Sequence, residues 1–353
     1  MTIGGRRVAD DTEAYVIAEI GHNHEGSLER AEELFRQAAA AGAHAAKLQK
    51  RDNRKVFTQD MYDQPYLGRN SYGPTYGAHR EALEFGRAEY EHLAQLAADL
   101  GIHFFATAFD TASVDFLMDL DLPAIKIASG DLTNTPLLSY AAKAGKPMII
   151  STGGASLEEV RLACRTILPI NDQLAVLQCT AVYPAPPEML HLNVIQAFRR
   201  EFPSVVIGFS GHDQGPDLSS VSYGLGARVI EKHFTLDQTR PGSDHHFSLS
   251  PAELSTLVTA LNRAHRALGS EVKTPLVEEA PALFKMGKKV VAAYDLPAGH
   301  VLRESDLAFK SPGDGLKPYR LNELIGRSLR QPVAVDEPLS PELTILAESI
   351  HAS

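Results

Sequence analysis

The sequence contains no tryptophan and only two cysteines, Cys164 and Cys179, in 353 residues. Two isolated thiols without a C-x-x-C pair exclude a disulfide framework and a zinc ribbon. No apolar run approaches the roughly 18 residues that a membrane-spanning helix requires. The opening stretch MTIGGRRVADDTEAY lacks the apolar region of a secretory signal. Cytoplasmic residence is the expectation that follows. Positive charge is also in short supply: 34 Lys and Arg against 44 Asp and Glu give a net charge of −10. That balance speaks against nucleic acid or an anionic membrane surface as a partner. It leaves a small anionic substrate open, because binding answers to the local field, and residues 47–55 (KLQKRDNRK) are locally positive. Those charges make either such a field or a solvated loop.

What is present is alternation. Short β-branched runs occur at Tyr15–Ile20, Ala45–Gln49, Phe104–Thr107, Ala124–Ala128, Met148–Ser151, Leu174–Gln178, Val205–Phe209 and Val229–His233. Between them lie Ala- and Leu-rich segments with apolar positions three and four apart, such as Leu28–Ala41 and Ala88–Leu100. A last helical segment, Pro251–Leu268, follows the eighth run. Strict β-α alternation implies an α/β fold with a parallel sheet and right-handed crossovers. Eight repeats match the size of a closed (β/α)₈ TIM barrel, about 250 residues. An open doubly wound sheet would show G-x-G-x-x-G after its first strand, and here that position reads GHNHEG. The expected division is a barrel over residues 1–269, a Pro/Glu/Thr-rich linker over 270–285, and a small β-rich module over 286–353. In that module Lys289–Tyr294, Leu307–Lys310 and Arg327–Val335 read as strands, with turns at Pro297-Ala298-Gly299 and Pro312-Gly313-Asp314-Gly315. It is too small for much core of its own and is expected to dock on another surface.

A barrel presents its chemistry where strands end. Strand one ends in Glu19, Asn23, His24 and Glu25, and strand two in Lys47 and Gln49, two apart on one face. Thr107 closes strand three. Lys126, Ser129 and Asp131 close strand four, Ser151 strand five, and Thr180 and Tyr183 strand six. Ser210 and His212 end strand seven, and Glu231 and His233 strand eight, followed by Arg240-Pro241-Gly242-Ser243-Asp244. Two lysines with several Ser/Thr beside glycines suit a phosphate-like oxyanion; taken singly, each Ser/Thr-Gly pair is ordinary turn chemistry. Lys126, inside a parallel strand, needs a charge partner or a displaced pKa. His212 and His233 end neighbouring strands, so both can reach one cation and leave positions open for substrate. Imidazole ligands alone leave Mn, Zn, Fe and Co open. His22-x-His24 with Lys126 imitates the metal-dependent amidohydrolases. That family also needs histidines after strands five and six, where Ser151 and Gln178-Cys179 stand.

The strings AEIGHNHEGS, KLQKRDN, YGPTYGAHREALEF, KIASGD, STGGAS, LQCTAVYP, GFSGHD, EKHFTLD and RPGSDHHFSL, in this order and placement, closely resemble the sialic acid synthases. Those enzymes condense phosphoenolpyruvate with an N-acetylmannosamine-type sugar, and the resemblance covers nearly the whole chain. It implies a C-terminal antifreeze-like (SAF, β-clip) domain and a domain-swapped homodimer. It also implies His212 and His233 as ligands of a divalent metal, usually Mn²⁺. It sets Lys47, Thr107, Lys126, Ser129, Ser151, Ser210 and Asn70 around phosphoenolpyruvate, and Gln49, Asp131, Tyr183 and Asp244 against the sugar. Glu19 falls beside the reacting atoms; Glu19 and Asp244 are the candidates for proton handling. The KLQKRDN and TYGAHREALEF segments are nearer the animal-type branch, whose sugar is 6-phosphorylated. Departures fall on the sugar side: Ser311 where bacterial members carry Arg, Asp131 for Glu, Ala181, Gly154 for Met, and His22. The expected activity is therefore a sialic acid synthase-type condensation with C–O cleavage of phosphate. A synthase of a legionaminic, pseudaminic or other 3-deoxy sugar acid is the alternative. A non-catalytic binding protein on a retired barrel is the remote one, and the full set of strand-end residues argues against it.

Overall fold

Eight parallel strands hydrogen-bond in chain order, and the eighth pairs with the first, so the sheet closes. They are β1 (Tyr15–Gly21), β2 (Ala45–Lys50), β3 (His103–Ala108), β4 (Ile125–Ile127), β5 (Met148–Ser151), β6 (Leu174–Cys179), β7 (Val206–Gly211) and β8 (Val229–His233). The computed structural model describes residues 1–346; residues 347–353 of the expected small module lie outside them. Helices cover the barrel with the spacing their sequences require. Leu28–Ala40 buries Ala31, Leu34, Phe35 and Ala38, and its N-cap Ser27 accepts from the Arg30 N–H. Pro251–Leu268 opens on a capping box of Ser250 and Glu253 with Pro in its first turn.

The period of two in each strand sorts the barrel interior into layers. Ile17, Ala45, Phe105, Ala124, Ile149 and Val229 belong to one buried apolar cluster. Two residues further along the same strands stand Glu19, Lys47, Thr107, Lys126, Ser151 and Glu231. An apolar floor thus carries a polar layer at the C-terminal end. Gly208, two before Ser210, must lack a side chain. A Cβ there would lie 2.3 Å from Leu177 Cδ2 and 2.5 Å from the Val229 carbonyl oxygen.

Beneath the floor is a hairpin absent from the sequence expectations: Thr2–Ile3 pairs antiparallel with Arg6–Arg7. Ile3 and Val8 join the interior apolar cluster. Two-residue strands carry no periodicity, which is why the pattern of residues does not announce them.

The chain divides after Gly269, and the second unit begins at Ser270. Within it β9 (Lys289–Ala292) pairs with β10 (Leu307–Lys310), and β11 (Arg327–Leu329) with β12 (Thr344–Leu346). Val290, Leu302, Leu324, Leu329 and Leu339 form its small core. Two expectations change. The 270–285 linker contains a helix, Ala280–Met286, whose Pro281 lies in the first turn, where a missing N–H costs nothing. The strand from Arg327 stops at Leu329, ahead of Pro332, which cannot donate to a ladder.

Two structural histidines give the barrel an acid sensitivity. His44 Nδ1 accepts from the Val16 N–H at 2.9 Å and His24 Nδ1 from the Gly26 N–H at 3.1 Å. Burial lowers His44 to about 4 and His24 to about 3. The unfolded chain therefore takes up protons first as pH falls below about 6.5. Stability should drop progressively from there toward pH 4, and Tm measured between pH 7.5 and 5 should show it. His44→Asn, which keeps an acceptor without a titration, should flatten that slope; an unchanged slope would refute the His44 share.

Candidate active site

One cavity at the C-terminal end of the strands is lined by Glu19, Lys47, Gln49, Thr107, Lys126 and Ser129. Ser151, Tyr183, Ser210, His212, Glu231 and His233 line it as well, with Cys179 and Phe109. The strand register brings the charges together: Glu19 lies opposite both Lys47 and His233, and Glu231 opposite Ser210. Lys47 Nζ donates to Thr107 Oγ1 at 2.9 Å and lies 2.7 Å from Glu19 Oε2 and 3.6 Å from Glu231 Oε2. The Glu19 contact is an ion pair without hydrogen-bond angles, so neither of those carboxylate oxygens has a hydrogen-bond donor. Lys126 Nζ donates to Ser151 Oγ at 2.7 Å and to the Ile127 carbonyl at 3.0 Å, and lies 3.9 Å from Glu231 Oε1. Ser210 Oγ donates to the same Glu231 oxygen at 3.0 Å.

The environment drives the two carboxylates apart. Burial would raise Glu231, but Lys126 and Lys47 prevail and hold it down to about 2. Burial raises Glu19 above the ordinary carboxylate range, and the Glu231 charge adds to this against Lys47. Burial pulls Lys126 below its usual value; Lys47, also buried, is held above its own by Glu19 and Glu231. A carboxylate held low, a carboxyl whose proton affinity is raised and two buried lysines therefore share one site. Pairs pushed apart in this way mark acid and base assignments.

Beside them stands the histidine pair, with ring centroids 5.4 Å apart. His212 Nδ1 donates to the Thr180 carbonyl at 2.8 Å, an outer contact that leaves Nε2 with its lone pair outermost. His233 Nδ1 is buried without a hydrogen-bond partner, 3.7 Å from Asp244 Oδ2. Burial lowers both rings, His212 to about 4, so both are neutral near pH 7. Among the described residues no third His, Cys, Asp or Glu completes a metal cluster. Neutral imidazoles with few protein competitors fit a divalent cation that keeps open positions.

The chain matches the NeuB family over residues 34–273. It belongs to that family. The SAF domain matches residues 289–343, so the resemblance read from the motifs holds for both parts of this NeuB-family chain. It is 39% identical over 340 residues to the N-acetylneuraminate-9-phosphate synthase of Homo sapiens, covering 96% of this chain and 95% of that protein. The N,N'-diacetyllegionaminic acid synthase of Legionella pneumophila is 36% identical over 344 residues, with 96% and 95% covered. Among solved structures, the N-acetylneuraminic acid synthetase of Leptospira borgpetersenii aligns at TM-score 0.72 and 30% identity, over 80% of this chain and 94% of that one. Among the described residues no helix is long and apolar enough to cross a membrane.

In the NeuB-family barrel Tyr183 lines the cavity, and the other sugar-side candidates stand beside it. Asp244 Oδ2 lies 3.7 Å from His233 Nδ1, and Asp244 accepts from Ser243 Oγ at 2.6 Å. Asp131 sits in a short turn, Ser129–Asp131, where it accepts from Asn134 at 3.1 Å. Asn70 Oδ1 accepts from the Gly242 N–H at 3.0 Å and so ties down the RPGSD loop; it lines the recess with His22 and Arg80. Tyr183 is 52% exposed, with its ring 4.1 Å from the His212 ring. In the SAF domain Ser311 accepts from Lys288 Nζ at 2.9 Å, which sets a cation beside this loop. Glu231 carries a role that strand-end position alone did not assign. Its signal was the period Val229, Glu231, His233. The positive stretch after Lys47 is not all solvated loop either, because Arg51 is 6% exposed.

Proposed function

We propose that this protein condenses phosphoenolpyruvate with open-chain N-acetylmannosamine 6-phosphate, giving N-acetylneuraminate 9-phosphate and phosphate. In this reaction C3 of phosphoenolpyruvate bonds to the sugar's aldehyde carbon. Water then adds at C2, and phosphate departs by C–O cleavage. The observation that carries the reading is the polar layer itself: two buried lysines and a ring of hydroxyls beside a neutral histidine pair. Lys47 and Lys126, with Thr107, Ser129, Ser151 and Ser210, hold the phosphate and carboxylate of phosphoenolpyruvate. Glu19, whose proton affinity burial raises, handles the proton at the aldehyde oxygen as that oxygen becomes a hydroxyl. Gln49, Tyr183, Asp131 and Asp244 face the sugar. A divalent cation, Mn²⁺ by family resemblance, held on His212 and His233 would supply Lewis-acid polarisation of the carbonyl.

The relatives' names support the substrate, and the animal-type N-acetylneuraminate-9-phosphate synthases favour its phosphorylated form. The diacetyllegionaminic acid synthase at 36% identity keeps a diacetamido sugar as the second reading. A cytoplasmic homodimer with exchanged SAF domains completes the proposal. In its favour, Leu276, Val277, Phe284 and Met286, just ahead of β9, all expose apolar side chains.

Incubation with Mn²⁺, phosphoenolpyruvate and N-acetylmannosamine 6-phosphate should release one phosphate per condensation. Release with a diacetamido sugar alone would replace the acceptor and keep the reaction. Silence with every acceptor would end the condensation reading.

A further inference from the structure

We propose that Arg80, Arg51 and His22 form a subsite for a phosphomonoester dianion, which receives the 6-phosphate of the acceptor sugar. The inference rests on the condensation proposed above and adds the group that selects the phosphorylated acceptor.

The cluster holds more hydrogen-bond donors than its surroundings satisfy. Lys50, Arg51 and Arg80 converge there; Asp131 acts on Arg51, Asp244 lines the recess beside Arg80, and the carboxylate that pairs directly is Glu84. It lies 3.2 Å from Lys50 Nζ and 3.8 Å from Arg51 Nη1. Arg80, on the short helix Tyr76–Glu81, reaches uncharged groups: His22 Nδ1 at 3.3 Å and the Tyr76 hydroxyl at 2.7 Å. Its Nε is buried without a partner. His22 faces a guanidinium nitrogen with each ring nitrogen, because Arg51 Nη1 lies 2.7 Å from Nε2. A neutral imidazole has a single acceptor nitrogen, so one of these two contacts sets donor against donor. Burial and the two arginines keep His22 neutral, and burial together with Arg80 brings Arg51 down to about 10. A dianion accepting from both arginines removes the surplus.

The position is also right for the far end of a sugar. The Gln49 amide bridges Glu19, at 2.9 Å, and Arg51, at 2.6 Å. Phe109, which lines the reaction cavity, carries the Arg51 guanidinium on its ring at 4.1 Å. His22 and Arg80 open onto a recess with Tyr72, Ser243 and Asp244. Asp244 in turn lies 3.7 Å from His233. A chain extended from the histidine pair past Asp244 enters the recess that Arg80 and His22 line, with Arg51 held against His22 behind it.

The test compares kcat/KM for N-acetylmannosamine 6-phosphate and N-acetylmannosamine, each with phosphoenolpyruvate and Mn²⁺. The wild type should prefer the phosphorylated sugar, and Arg80→Gln should lower that preference about 10- to 100-fold. The loss should appear mainly in KM, and Arg80→Lys should recover a large part of it. Turnover of both sugars with no preference in the wild type would overturn the subsite alone. So would an unchanged preference in Arg80→Gln. No phosphate from either sugar would overturn the condensation and the subsite together. If Arg80→Gln turns over neither sugar, the wild-type preference and the Arg80→Lys ratio decide.

Discussion

Replacing His212 by alanine is expected to lower kcat/KM for the condensation by at least about a thousandfold, several kcal/mol of transition-state stabilisation. The ring is fixed from behind by the Thr180 carbonyl, 2.8 Å from Nδ1, so its Nε2 is a preset donor rather than a mobile one. Removing it leaves His233 as the one imidazole of the pair. Binding of Mn²⁺, read by calorimetry or by the spectrum of the free ion, should weaken in parallel. Binding of phosphoenolpyruvate, which the proposed mechanism assigns to Lys47 and Lys126, should change far less. His233→Ala should behave alike in turnover and metal affinity. It should also release Asp244, whose carboxylate faces the His233 ring. Full turnover with unaltered Mn²⁺ affinity in either variant would remove the metal from the proposed chemistry.

The part of this site that strands build was legible in its spacing, whereas the loop residues Ser129 and Tyr183 were reached by chain position and resemblance alone. Lys47 and Gln49, or Val229, Glu231 and His233, declare a shared face by their spacing. Closure of the sheet then fixes which strand ends meet, as Glu19 meets Lys47 and His233. The sugar side has no such rule. His22, Arg51 and Arg80 belong to three segments joined by short helices, Asn53–Val56, Gln59–Asp63 and Tyr76–Glu81. Nothing periodic brings Arg80 to His22. Asn70 shows the same limit: only resemblance pointed to it, and its contact with Gly242 joins two loops that no spacing relates. The helix Ala280–Met286 was hidden for a different reason. Proline and glutamate read as linker by composition, yet both are favoured in a helix's first turn.

The second large effect belongs to Lys47. Lys47→Met removes the ammonium that lies 2.7 Å from Glu19 and 3.6 Å from Glu231. Glu231 keeps Lys126 and Ser210, whereas Glu19 keeps the Gln49 amide. Breaking one side of a buried pair costs about 3–5 kcal/mol, because the remaining charge stays dry and unmatched. Glu19 can escape that cost by taking a proton, which its raised pKa already favours. A carboxyl raised in the folded state adds stability below its unfolded pKa and loses it as pH rises. The deficit of Lys47→Met should therefore be small near pH 4.5 and grow toward neutrality in urea titrations. Adding Glu19→Gln removes the stranded charge and should restore most of the stability. Turnover should not return. The loss of one oxyanion donor alone costs about a hundred- to a thousandfold, and the double variant also lacks the Glu19 carboxyl. Near-normal turnover in Lys47→Met would discard the phosphate-holding role. A double variant no more stable than the single one would show that Lys47 supports the barrel by packing and not by charge.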